Sequence, residues 1–80
     1  MIAQKEKQVW EIAEEVWADW KNVSPYAKSY LEAMGSLSSV NDNYYADSGK
    51  SVVSYFLANA GSWKGEVAKS IKAQLKEMVK

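Results

Sequence analysis

Four stretches of the chain place apolar residues at the three- and four-residue spacing of a helix face. The first runs through Val9, Ile12, Ala13, Val16, Trp17 and Trp20, with Trp10 at the edge of the stripe and Glu11, Glu14 and Glu15 opposite. It predicts a helix over 3–20. In the second, Ala27, Tyr30, Leu31 and Met34 share a face between Pro25 and Gly35. Ser24 can cap that helix. Pro25 suits its first position, where the missing N–H would be unpaired anyway. Gly35 ends it, so its expected span is 25–34.

The third stripe is Val52, Val53, Phe56, Leu57 and Ala60, behind Asp47 or Ser48 as cap, and predicts a helix over 48–60. The fourth is Trp63, Val67, Ile71, Leu75 and Met78, predicting a helix over 63–79. The two patterns meet at Asn59-Ala60-Gly61-Ser62-Trp63. Gly61 is expected to take the left-handed conformation that closes one helix, and Ser62 to cap the next. The expected fold is all-α, a compact four-helix domain built on this C-terminal helical hairpin. Val67, Ile71 and Leu75 should form its centre. From Gly35 to Ala46, six Ser, Asn and Asp residues favour turns over helix. Leu37 and Val40 should reach the core there, and a single helical turn fits around them. So long a loop in a small chain is a place for function or motion.

Eighty residues make one domain, 1–80. A chain this short buries only roughly 60% of its unfolded surface. With no Cys and no His, disulfides and ordinary zinc sites are excluded. Four Trp and five Tyr make up for the thin core, since each ring buries about 150–250 Å². No apolar run approaches the ~20 residues of a membrane span. Lys5 and Lys7 are followed by acids rather than by the apolar stretch of a signal peptide. A soluble cytoplasmic protein is expected.

Basic and acidic residues balance at ten each, and every basic residue is Lys. Absence of Arg argues against a dedicated nucleic-acid binder, because Arg grips phosphate and guanine bidentately. The charge is uneven: residues 1–20 are mostly acidic and 61–80 mostly basic. On the fourth helix Lys64, Lys69, Lys72 and Lys76 form a candidate nucleic-acid face. Helix, Gly-containing turn and Lys-rich helix also have the order of a helix-turn-helix. Against that, the fourth stripe is core-like, and its first turn has no Asn or Gln to read a base.

Gly49-Lys50-Ser51 matches the end of a phosphate-binding loop. That loop needs a glycine five residues earlier, where Tyr44 stands, and a strand before it. No nucleotide site is expected. The carboxylates form no acid–base pair, and Asp42 and Asp47 suit turns and caps. No catalytic residue, cofactor or metal is expected, and the chain does not read as an enzyme. Aromatics left outside the core would mark a protein interface. Trp10, Tyr44, Tyr45 and Trp63 are the candidates for such a surface.

Two segments carry a family resemblance: Asp47-Ser48-Gly49-Lys50-Ser51-Val52-Val53-Ser54-Tyr55-Phe56-Leu57, and Gly61-Ser62-Trp63-Lys64-Gly65-Glu66-Val67-Ala68. With them, residues 25–79 resemble small proteins encoded by bacteriophages and prophages of Gram-positive bacteria. The resemblance implies a bacterial cytoplasm and a small accessory role, and transfers no functional residue. Two functions stay open. One is a protein-interaction module, such as a phage-encoded modulator of a host protein. The other is a DNA-binding accessory protein using the Lys face.

Overall fold

The computed structural model describes residues 7–80. The first residues of the helix expected over 3–20 therefore lie outside the described residues. Helix α1 spans Val9–Asp19. The Glu11 carboxylate accepts the Gln8 N–H at 2.8 Å. Two further amides at the helix start donate outside it: Val9 to the Ser38 carbonyl at 3.1 Å and Trp10 to that of Leu37 at 2.9 Å. A helix N-terminus leaves such donors without partners of its own. Here the loop after the second helix satisfies them.

Helix α2 spans Pro25–Met34 as its local signals require. Ser24 Oγ accepts the Ala27 N–H and donates to the Asn59 carbonyl, both at 3.3 Å. The same hydroxyl thus caps α2 and ties it to the far end of the third helix.

The loop that follows holds the first departure from an all-α fold. Strands β1 (Asn43–Tyr44) and β2 (Asp47–Ser48) pair antiparallel, Asn43 with Ser48 and Tyr44 with Asp47. The protein is mostly helical, with this small two-stranded sheet. No helical turn forms over 37–40. Instead Asp42 Oδ2 accepts the N–H groups of Ser38 and Ser39 at 2.8 and 3.3 Å. Leu37 is buried and Val40 half-buried.

Helix α3 spans Gly49–Ala58, with Ser48 Oγ accepting the Ser51 N–H at 3.1 Å. It stops short of residue 60 because Asn59 caps it, Nδ2 donating to the Tyr55 carbonyl at 2.8 Å. Helix α4 spans Glu66–Met78, three residues later than expected. The positive φ at this junction belongs to Gly65 (φ 114°, ψ 179°) and not to Gly61. That conformation suits glycine alone and cannot continue a helix. Gly65, not Ser62, is the N-cap.

Helix α2 packs most extensively on α3, more than α3 does on α4. The pair at the heart of the fold is therefore not the C-terminal hairpin. The main contacts close a cycle, α1 to α2, α2 to α3, α3 to α4 and α4 to α1. Phe56, Ile12, Leu31, Met34 and Leu75 are among the large side chains fully buried between them. The radius of gyration, 12.1 Å, is that of a compact chain of this length.

Two stripe residues are out of place. Val67 is 43% exposed, while Ala68 is buried with Ile71 and Leu75. Helix α4 is thus rotated toward Ala68, whose small side chain allows a close approach. Trp17 is 39% exposed. It stands seven residues after Trp10, hence on the same side of α1, at the margin of the buried arc.

Candidate functional site

Trp63 is not a surface residue. Only 2% exposed, it fills the junction between α3 and α4. Its ring stacks on Trp20 with centroids 5.6 Å apart and planes at 9°, and lies 6.5 Å from Phe56. The indole N–H donates to Asp19 Oδ2 at 2.8 Å. Its carbonyl accepts from Lys72 Nζ at 2.6 Å, with that ammonium 5.8 Å from the ring centroid. The carbonyl meets a lysine where a helical residue would meet a backbone amide, so Trp63 lies before α4 rather than in it.

The same contacts take Lys72 off the basic face. Its side chain is turned onto Trp63, while Lys69 and Lys76 stay exposed on α4 and Lys64 on the preceding segment. Partial burial holds the Lys72 ammonium below the ordinary lysine value, and the charges of Lys64 and Lys76 push the same way. The face proposed from spacing thus loses Lys72, which stands between Lys69 and Lys76 in the sequence.

Three aromatic groups reach the surface. On α1, Trp10 and Trp17 are 37% and 39% exposed. Trp10 Nε1 donates to the Gln8 side chain. At the hairpin tip Tyr45 is 89% exposed and Tyr44 half-buried, their rings edge to face at 4.7 Å. Tyr45 has φ 56°, a conformation that bulky side chains rarely take. It is the first of two turn residues, the place where tight hairpins demand positive φ. Between α2 and α3, Tyr30 and Tyr55 lie 5.5 Å apart, and Tyr26 stands one helical turn before Tyr30. This third group is not among the expected sites. Its only local sign is the Tyr26–Tyr30 spacing, since Tyr55 comes from a different helix.

Gly49 explains the Gly-Lys-Ser stretch without a phosphate. It is buried, and its N–H donates to the Asp42 carbonyl at 2.6 Å. The carbonyl oxygens of Ser39, Val40 and Asp42 surround the place a side chain would take. An anion would meet acceptors there rather than the donors of a phosphate cradle. Among the described residues no polar or charged side chain is buried, and no group of acids could hold a metal ion. The clefts between the elements open to solvent, such as that between α1 and α4 lined by Glu15, Val67, Ile71 and Gln74. Among the described residues no helix is long and apolar enough to cross a membrane.

Comparison with protein-family models, with curated proteins and with solved structures gives no match.

Proposed function

We propose that this protein is a small interaction module that acts by binding another protein and performs no catalytic step of its own. One observation carries the reading. The chain has four Trp, five Tyr and one Phe, and leaves half of them exposed: Trp10, Trp17, Tyr26, Tyr45 and Tyr55. A small domain with a thin core gains from every ring it buries, by about 1.5–3 kcal/mol for a large apolar side chain. Trp and Tyr are the side chains that most often anchor interfaces. The frame beneath them is a four-helix bundle with a hairpin inserted between α2 and α3. The resemblance of residues 25–79 to phage and prophage proteins supports an accessory role in a bacterial cytoplasm. Lys72, turned inward, favours this reading over DNA binding, because it leaves Lys69 and Lys76 without the cation between them.

Affinity capture from a bacterial lysate tests it, using the wild type and the variants Trp17→Ser, Tyr45→Ser and Tyr55→Ser, each confirmed folded by circular dichroism. A partner recovered by the wild type and lost with at least one variant is expected. Identical recovery by all four would sink the reading. Sequence-dependent binding to duplex DNA at about 150 mM salt, abolished by Lys69→Glu with Lys76→Glu, would replace it with the basic-face alternative.

A further inference from the structure

We propose that the ridge formed by Trp10, Glu14 and Trp17 on α1 receives a basic protein segment whose Lys or Arg side chains lie over the two indoles. This rests on the interaction-module reading and narrows it to one face and one partner chemistry. The two Trp residues are seven positions apart, about 10.5 Å along the helix and on one side of it. Glu14, four residues after the first and three before the second, falls between them and is exposed.

The electrostatics of α1 choose the partner. The helix holds Glu11, Glu14, Glu15 and Asp19 and no basic residue. Three of these carboxylates are engaged. Glu11 accepts the Gln8 N–H, Glu15 pairs with Lys7 at 2.6 Å, and Asp19 accepts the Trp63 indole N–H. Glu14 forms no ion pair or hydrogen bond with the described residues. An indole face attracts cations, and the methylene stem of Lys or Arg packs along it. A carboxylate between two such faces adds charge attraction for the same partner and repels phosphate or an acidic peptide.

The spacing sets the register. Two cations about 10 Å apart on one side occur at i and i+7 of a helix. A second copy could offer Lys69 and Lys76, also seven apart. Such self-pairing, reciprocal or chained, is separated from a distinct partner segment by sedimentation. A separate basic segment completes the site.

The test is an anisotropy titration of the whole chain against labelled alanine-rich helical peptides. One carries two Arg residues seven positions apart, and its control has Glu at both places. The Arg peptide should bind at least about tenfold more tightly than the control. Trp17→Ala and Glu14→Lys should each weaken it by about two- to fivefold, and Ser54→Ala, exposed on α3, should leave it unchanged. Equal binding of the two peptides, or Arg-peptide binding that survives both α1 substitutions, would overturn the proposal. So would self-association, seen by sedimentation, that needs Lys69 and Lys76 and that the peptide fails to disrupt. Lysate capture that depends on Tyr45 or Tyr55 and not on Trp17 would leave the interaction module standing and remove this site.

Discussion

Gly49→Ala sets helix propensity directly against packing. Gly49 is the first residue of α3. Propensity alone favours alanine there: glycine inside a helix costs about 0.5–1 kcal/mol relative to alanine, and alanine also narrows the unfolded ensemble. The structure reverses the sign. A Cβ on Gly49 would stand 2.9 Å from the Asp42 carbonyl oxygen and 3.0 Å from those of Ser39 and Val40. All three are backbone atoms, so no rotamer change relieves them. The loop that carries them is pinned by the Gly49 N–H to Asp42 bond and by Asp42 Oδ2 on the Ser38 amide. Overpacking of this kind costs about 1–3 kcal/mol. Set against the propensity gain, a net loss of roughly 1–2 kcal/mol remains, or about 4–8 °C in Tm per kcal/mol for a domain of this size. Urea unfolding followed by far-ultraviolet circular dichroism reads it. Two controls separate the causes. A Cβ on Gly61 would meet no atom within 4 Å, and its φ is not positive, so Gly61→Ala should gain about 0.4–1 kcal/mol. Gly65→Ala, equally uncrowded but at φ 114°, should lose about 1–3 kcal/mol through backbone strain. Stability of Gly49→Ala at or above wild type would refute the crowding argument.

Ile71→Ala should cost about 2–5 kcal/mol, because the side chain is only 2% exposed, while Val67→Ala should stay within about 0.5 kcal/mol. Equal losses in chemical denaturation would contradict the observed rotation of α4. Calorimetry should detect no ATP binding, and Lys50→Ala should leave stability nearly unchanged; micromolar binding removed by Lys50→Ala would reinstate the phosphate loop. The Lys72 amine should titrate below the ordinary lysine value in side-chain NMR. Its folded-state pKa is lowered from 10.5, so between the two values the unfolded chain holds more protons and stability rises with pH, a rise that Lys72→Gln should remove. A Lys72 titration at the ordinary lysine value would count against the inward placement.

Local pattern was enough where the deciding interaction is itself local. Ser24-Pro25 and Gly35 bracket α2 because a cap, a missing N–H and a helix stop act within one turn. Ser48 starts α3 for the same reason. The mostly helical class and the burial of Ile71 and Leu75 follow from periodicity over several turns. Periodicity does not set the rotation of a helix to better than a neighbouring residue, so Val67 and Ala68 were interchangeable until α4 met its neighbours. The two-residue strands carry no alternation to detect. They pair with each other and are flanked by the Gly49 N–H on the Asp42 carbonyl and the Ser38 N–H on the Asp42 carboxylate. Trp63 between two glycines suits a buried ring and an exposed one equally. What buries it is Trp20 against its face and Asp19, 44 residues away, on its indole nitrogen. The candidate surfaces divide along the same line. Trp10 and Tyr45 could be named from the chain, whereas the Tyr30–Tyr55 contact, the exposure of Trp17 and the capture of Lys72 exist only once separate helices are packed together. Spacing along the chain specifies which side of a helix a residue occupies, and only its neighbours in space decide whether that side is covered.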